Sequence, residues 1–121
     1  MPYPTGPTNP TLRRLIRELR EVGKKKKAQI WLDVAERLSR PRRMRVEVNL
    51  SRLNLYSNPG SIIVVPGKVL GAGKLDHQIS VAAFKFSSTA QRKIIEAKGR
   101  AITIKQLLEE NPTGKNVLIM G

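Results

Sequence analysis

Arginine is concentrated between residues 40 and 45 of this chain, and its side chain has a specific chemistry. Four of these six positions are arginine, namely Arg40, Arg42, Arg43 and Arg45. The planar guanidinium carries a fork of donors that matches phosphate oxygens. The block leads into residues 46–53, where apolar side chains alternate as they do in a packed element. We therefore interpret the arginine block as an ordered binding site for a phosphate backbone rather than as a solvated run of charge.

The glycine-rich segment Gly67–Lys74 is a second candidate for phosphate binding. It departs from the template G-x-x-x-x-G-K-[ST], because Lys68 stands where the first glycine is required and Leu75 replaces Ser or Thr. It also departs from the dinucleotide fingerprint, because Asp76 stands where the third glycine belongs. We predict a basic turn whose backbone lies close to a ligand phosphate.

Enzymatic and metal chemistry find no support in the residue types. His77 is the one histidine, and no nucleophile pattern accompanies it and its neighbour Asp76. One histidine with scattered carboxylates gives no metal-ligand spacing, and the absence of cysteine excludes disulfides and thiolate sites. We therefore predict no catalytic residue, no metal and no cofactor, and a protein that is not an enzyme.

The overall charge favours a polyanionic partner. The 121 residues include 23 Lys and Arg against 9 Asp and Glu, which gives a net charge of +14. Self-repulsion of this size opposes a compact fold unless a polyanion neutralises it, so nucleic acid is the leading partner. An anionic membrane is the second candidate, but the sequence shows no long apolar span, no lipidation pattern and no signal peptide.

Residues 1–45 are predicted to form an arm followed by a basic helical extension. Residues 1–10 contain four prolines and are expected to be extended. Asn9 and Pro10 then predict a helix start, and apolar residues recur at helical spacing as far as Val22. The adjacent face and the lysines after it are either solvated or in contact with RNA, and we predict RNA contact. The predicted contacts are Arg13, Arg17, Lys24, Lys25, Lys26 and Lys27, and Arg20 lies on the same face.

A second helix is predicted from about Ala28 to Leu38, after a break at Gly23 and the four lysines. Trp31 shares one face of this helix with the apolar residues, so we place it in the core rather than on a surface that stacks bases. The chain has one Trp, two Tyr and two Phe. This scarcity favours recognition of the phosphates and shape of a structured RNA over base stacking.

From Ser61 onward, short strands alternate with short helices. Strands are predicted at 61–65, 79–86, 101–104 and 116–120, with 68–70 resuming the first strand after a turn at Pro66-Gly67. The second of these is apolar on both faces and is expected to be covered on both sides. Capping boxes at Ser88–Gln91 and Thr103–Gln106 predict two helices, the first ended by Gly99. The alternation predicts a mixed α/β fold, and the length predicts a single domain.

Four segments occur in an order that is more specific than any one of them alone. They are Arg42–Leu53, Ile63–Gly71, Ile79–Ser88 and Asn111–Val117. Together they resemble the archaeal and eukaryotic large-subunit ribosomal protein eighteen, the "L eighteen e" family, from about Asn9 to the end of the chain. The short chain and its Gly-Ala-Gly-Lys-Leu turn look similar to the archaeal type.

The resemblance implies a structural protein of the large ribosomal subunit in the cytoplasm, bound to large-subunit rRNA and beside other ribosomal proteins. It implies no membrane and no small-molecule substrate. It also implies the fold shared with bacterial "L fifteen", an irregular superhelix of β-β-α units preceded by a basic N-terminal extension. By position, the arginine block, the lysines and a further set of residues would face the RNA. The further set is Asn49, Arg52, Lys68, Lys74 and His77.

Two other classes of function stay open at this point. A free-standing basic RNA chaperone or nucleic-acid-binding protein would bind many duplexes without a ribosome. A small hydrolase or nucleotide-binding enzyme would bind a ligand saturably at Gly67–Lys74. The departures from both phosphate-binding templates argue against the enzyme, and the extent of the resemblance argues against the chaperone.

Overall fold

The predicted α/β character is confirmed by a computed structural model that describes residues 10–40 and 46–120. The helices are α1 (Pro10–Lys25), α2 (Gln29–Leu38), α3 (Leu50–Leu55), α4 (Ser88–Glu96) and α5 (Ile104–Glu110). The strands are β1 (Val46–Asn49), β2 (Ile62–Leu70), β3 (Ser80–Phe86), β4 (Arg100–Thr103) and β5 (Val117–Ile119). Residues 1–9 of the predicted arm lie outside the described residues, as do Arg42, Arg43 and Arg45.

The described strands form one sheet in which every pairing is parallel. β2 pairs with β3, and β3 pairs with β4. Two strands pair with the other edge of β2: β5 pairs with its first three residues, and β1 pairs with its last four. In this register Asn49 lies beside Leu70, and Val69 lies beside Phe86. β1, β2 and β3 therefore end together, and the segments that follow them start at one edge of the sheet.

A hydrophobic core covers each face of the sheet, as the apolar pattern of residues 79–86 predicted. On one face α1, α2 and α5 pack over Val64 and Ala82. On the other face α3 and α4 pack over residues that include Ile63 and Val81. Successive side chains of a strand point to opposite faces, so residues adjacent in sequence within β2 or within β3 lie in different cores. Burial on both faces is the usual setting of a parallel sheet.

Trp31 lies in the first core, which confirms the prediction made for it. Its side chain is fully buried, and its Nε1 donates a hydrogen bond to the backbone oxygen of Asn111 at 3.2 Å. The bond joins α2 to the turn before β5, 80 residues away in sequence. It also satisfies the polar atom that a buried indole carries into the core.

Helix α1 extends beyond its predicted end. Gly23 is buried inside the helix, and Lys24 and Lys25 form its last two residues. The helix is closed by the amide of Ala28, which donates to the oxygen of Gly23 at 2.8 Å while Lys27 has a positive φ of 55°. This is the Schellman arrangement, in which the residue with positive φ is usually glycine. The lysines are therefore an ordered helix end rather than a loose linker.

Other boundaries also differ from those predicted. Pro66 and Gly67 continue β2 instead of turning the chain, and the pairing with β3 shifts register between Val65 and Lys68. Such an irregularity accommodates a proline that has no amide hydrogen for the ladder. Residues 50–55, which carry no strong helix signal, form α3 directly after β1. The irregular superhelix and the relation to "L fifteen" stay predictions.

Both predicted helix starts near the C-terminus are present. The capping box at Thr103 and Gln106 is confirmed, with hydrogen bonds of 3.0 and 2.9 Å between side chain and backbone. Helix α4 is instead capped by Ser87, whose hydroxyl accepts from the amide of Ala90 at 3.1 Å. The cap therefore lies one residue before the predicted one.

Candidate nucleic-acid interface

The connecting loop after β2, residues 71–78, lies against α3 and is bonded to it along its length. The side-chain oxygen of Asn49 accepts from the amide of Ala72 at 3.2 Å, and the amide of Ser51 donates to the oxygen of Ala72 at 3.1 Å. Farther along, the side-chain oxygen of Asn54 accepts from the amide of Asp76 at 3.1 Å. The loop therefore has an ordered path beside the helix, although it contains no regular element of its own.

Helix α4 holds the same loop from its other side through Lys93. The Nζ of Lys93 donates to the oxygen of Gly71 at 2.8 Å and to the oxygen of Gly73 at 2.9 Å. Gly73 has a φ of 96°, and a side chain there would collide with Ser51. The glycines thus permit close packing of the loop on its two helices. Gly67 lies inside β2, so the predicted basic turn begins only after Leu70.

Asp76 and His77 belong to a chain of hydrogen bonds that fixes the end of the loop. The Nδ1 of His77 lies 2.9 Å from Oδ1 of Asp76, and its Nε2 lies 2.8 Å from Oγ of the buried Ser57. The Ser57 hydroxyl donates to the oxygen of Leu53 at 2.5 Å, so its oxygen is left to accept from the ring. These bonds join the end of the loop to the segment that follows α3.

The direction of these bonds separates the cluster from a catalytic triad. In a triad the serine hydroxyl gives its proton to the histidine, whereas here the hydroxyl of Ser57 is directed to a backbone oxygen. The hydrogen bond from His77 lowers the pKa of the Asp76 carboxyl, and Asn54 and the charge of Lys74 act in the same direction. The arrangement stabilises the loop and supplies no nucleophile.

The predicted contact residues around this loop have two kinds of environment. Arg52 on α3 and Lys74 in the loop are exposed, and neither forms an ion pair within residues 10–40 and 46–120. Asn49 instead accepts from the loop amide of Ala72, and the ring of His77 is bonded to Asp76 within the loop and to Ser57 after α3. The structure thus brings these four residues together, and two of them present cationic groups to the solvent.

Lys68 is half-buried in β2, and the sheet gives it a neighbour that the sequence did not indicate. In register it lies between Glu47 of β1 and Lys85 of β3. Lys85 is exposed and adds a second cation beside Lys68. No spacing in the sequence signals this proximity, because it depends on the pairing of β2 with β3.

Helix α1 carries a stripe of exposed cations on the side of the sheet away from α3. For these residues the described part of the chain offers no carboxylate within 4.0 Å. They are Arg13, Arg17, Arg20 and Lys24. Glu18 of the same helix approaches Lys105 of α5 at 3.9 Å. Lys25, Lys26 and Lys27 are also exposed.

Of the arginine block the structure describes Arg40, and Val46 is the first described residue after it. Arg40 is exposed and pairs with Glu36 at 3.0 Å, one turn earlier along α2. After the block, Val46 pairs with Gly67, three residues before Asn49 reaches the edge that carries the loop. At 3.3 Å per residue this separation is about 10 Å along β1. Val46 and the loop therefore lie at opposite ends of β1.

Within the described ranges no helix combines the length and apolar character needed to cross a membrane. The same ranges contain no group of three or more His, Asp or Glu residues that could hold a metal ion.

Comparison with known proteins agrees with the resemblance seen in the sequence. A family model described as "Ribosomal protein 60S L18 and 50S L18e" matches residues 4–121. Large ribosomal subunit protein eL18 of Methanopyrus kandleri is 50% identical over 122 residues, which cover 97% of this chain and 96% of that protein. The protein of the same name from Methanothermobacter thermautotrophicus is 49% identical over 113 residues, or 93% of each chain. That of Pyrobaculum aerophilum is 48% identical over 119 residues, or 98% of each chain. The chain therefore belongs to the family of ribosomal protein L18 of the 60S subunit and L18e of the 50S subunit.

Proposed function

We propose that this protein is a structural constituent of the large ribosomal subunit and binds large-subunit rRNA through exposed arginine and lysine side chains. The stripe on α1 carries the proposal, because its cations are exposed and have no carboxylate partner in the described part of the chain. Such groups are free to neutralise phosphates. The related proteins are named as large ribosomal subunit proteins, which supports the same role and confirms that the chain is not an enzyme.

The cations on α1 and those around the connecting loop would contact RNA from different directions. The core residues of α1 and those of α3 belong to opposite faces of the sheet. A polyanion bound along Arg13 and Arg17 therefore lies on the far side of the molecule from one bound at Arg52 and Lys74. Neutralisation on both sides relieves the self-repulsion of a chain with a net charge of +14.

Asn49 and His77 would act by positioning the loop rather than by touching phosphate. The Oδ1 of Asn49 is bonded to Ala72, and the two ring nitrogens of His77 are bonded to Ser57 and Asp76. A loop fixed in this way loses less conformational entropy when Lys74 binds a phosphate than a mobile loop would. Neighbouring ribosomal proteins are the remaining expected partners.

The proposal predicts that binding to rRNA fragments depends strongly on salt. If about six phosphates are neutralised, a plot of the logarithm of the binding constant against the logarithm of the salt concentration should have a slope of roughly −4 to −5. Filter binding of the full chain to rRNA fragments measures the slope. A slope close to zero would show that the cations do not bind the RNA.

The arginine block provides the corresponding variant. Replacing Arg42, Arg43 and Arg45 with Gln should reduce the slope by roughly 2–3 units, with thermal stability unchanged or raised. The matched control replaces Lys24, Lys25 and Lys26 with Gln, which also removes three charges. We expect the smaller loss of affinity from the lysine variant, because an ammonium group lacks the bidentate geometry of guanidinium. The opposite order would make the end of α1 the principal anchor.

Association with ribosomes distinguishes the proposal from a free-standing RNA chaperone. Sedimentation of a lysate from the source cell should place the protein with the large subunit. Recovery of the protein mainly at the top of the gradient, at physiological salt, would favour the chaperone.

A further inference from the structure

An exposed aromatic ring lies at the end of α3, outside both hydrophobic cores. The side chain of Tyr56 is 63% exposed. Trp31 is fully buried, while Phe84 and Phe86 pack against the two cores. Within residues 10–40 and 46–120, Tyr56 is therefore the aromatic side chain available to a partner.

Tyr56 follows Arg52 by one turn of helix. The amide of Tyr56 donates to the oxygen of Arg52 at 3.2 Å, which keeps Tyr56 in continuation of α3. At 100° per residue, a separation of four residues places the two side chains about 40° apart around the helix axis. A guanidinium group without a carboxylate partner within the described ranges thus lies beside an exposed phenol ring.

We infer that Tyr56 and Arg52 form a binding site for an unpaired nucleotide of the RNA. The ring of Tyr56 stacks on the base, and the guanidinium of Arg52 binds a phosphate of the same strand. Every base has a π-face, so a stacking site of this kind tolerates different sequences. The inference rests on the proposed rRNA binding, and it adds base stacking to the recognition of phosphate and shape expected from the sequence.

The surroundings favour RNA over a protein as the occupant. The loop that lies along α3 carries Lys74, and the whole chain has a net charge of +14, which is complementary to a phosphate backbone. Leu55 is also exposed, at 72%, and would be the main contact of an apolar protein partner. Leu55 therefore provides the control that distinguishes the two occupants.

The experiment measures binding of the full chain to two RNA probes by fluorescence anisotropy. One probe is a hairpin with an adenosine-rich loop that contains 2-aminopurine, and the other is a blunt duplex with the same stem. Tyr56→Leu should weaken hairpin binding about tenfold, the typical size for loss of one base–aromatic stack, and leave duplex binding within about twofold. Tyr56→Phe should retain hairpin binding, because the ring is kept. Unchanged emission of the buried Trp31 confirms that each variant is folded.

Further outcomes decide the inference. Arg52→Gln should weaken binding to both probes and reduce the salt slope by about 0.7–0.9. An unchanged ratio of hairpin to duplex affinity in Tyr56→Leu overturns the inference alone, whereas failure of the wild-type chain to bind either probe overturns the proposed function with it. If Leu55→Ala weakens binding as much as Tyr56→Leu, the patch is a general apolar contact and the nucleotide site is wrong. If Tyr56→Leu and Leu55→Ala both bind RNA as well as the wild-type chain but are incorporated less well into large subunits, the patch binds a protein. That outcome would also overturn the nucleotide site.

Discussion

Two lysines of this chain occupy backbone positions that usually belong to glycine. Lys27 has a φ of 55° after α1, and Lys98 has a φ of 65° after α4. In both places the following amide closes the helix, with Ala28 bonded to Gly23 and Gly99 bonded to Ile94. A left-handed conformation costs a residue with a Cβ roughly 1–2 kcal/mol. The chain thus carries cations at helix ends where glycine would be more stable.

Lys27→Gly should therefore raise the free energy of unfolding by about 0.5–1 kcal/mol, after the added entropy of glycine in the unfolded chain is subtracted. It should also weaken rRNA binding, because one cation is removed. Urea denaturation and filter binding measure the two effects. Lys26→Gly is the matched control, since it removes the same charge at a residue without positive φ, and it should destabilise the protein. Equal effects on stability would contradict a strained Lys27.

At the scale of elements, the connecting loop depends on groups from the end of β1 and from helices α3 and α4. Asn49 and Asn54 accept from loop amides on one side, and Lys93 donates to loop oxygens on the other. These bonds replace the regular ladder that a strand or helix would supply. The loop can therefore present Lys74 in one conformation without secondary structure of its own.

Lys93→Met should release the loop, because it removes the ammonium group while keeping an unbranched side chain of similar length. We expect faster hydrogen exchange at the amides of Ala72 and Asp76, and a loss of unfolding free energy of about 1–2 kcal/mol. Lys98→Met removes the same charge without a bond to the loop and should leave both amides unchanged. Lys93→Arg, which keeps donors at a similar reach, should restore most of the protection. Equal exchange rates in the two methionine variants would show that Lys93 does not hold the loop.

For the whole molecule, Trp31 connects segments that lie far apart in the chain. It packs in the core between the sheet and α1, α2 and α5, and it bonds to Asn111 before β5. The last strand in sequence, β5, joins the sheet beside the start of β2. Loss of the indole would therefore weaken the contact between the N-terminal helices and the C-terminal segment.

Trp31→Ala should lower the free energy of unfolding by roughly 3–5 kcal/mol, since it removes a large buried side chain and leaves a cavity. Chemical denaturation followed by circular dichroism measures the change. Ile95→Ala is the control, because Ile95 is exposed on α4 and its truncation should cost less than about 0.5 kcal/mol. A loss below about 1 kcal/mol for Trp31→Ala would contradict its place in the core.

The sequence alone determined those features that depend on local pattern. The apolar spacing of α2 placed Trp31 in the core, and the Thr103 capping box marked the start of α5. Alternating strands and helices indicated the α/β class, and segments in a specific order indicated the family. Each of these signals consists of residue types and their spacing along the chain, so no knowledge of long-range contacts is needed to recognise it.

Only the tertiary structure decided which distant residues meet. Parallel pairing placed Lys68 beside Lys85, and packing of the connecting loop turned Asn49 and His77 toward their own chain. The same packing gave Lys93 its two backbone acceptors. Strand register depends on the burial of both sheet faces, and loop packing depends on hydrogen bonds between residues some twenty positions apart. Neither the register nor the loop packing produces a periodic pattern in the sequence.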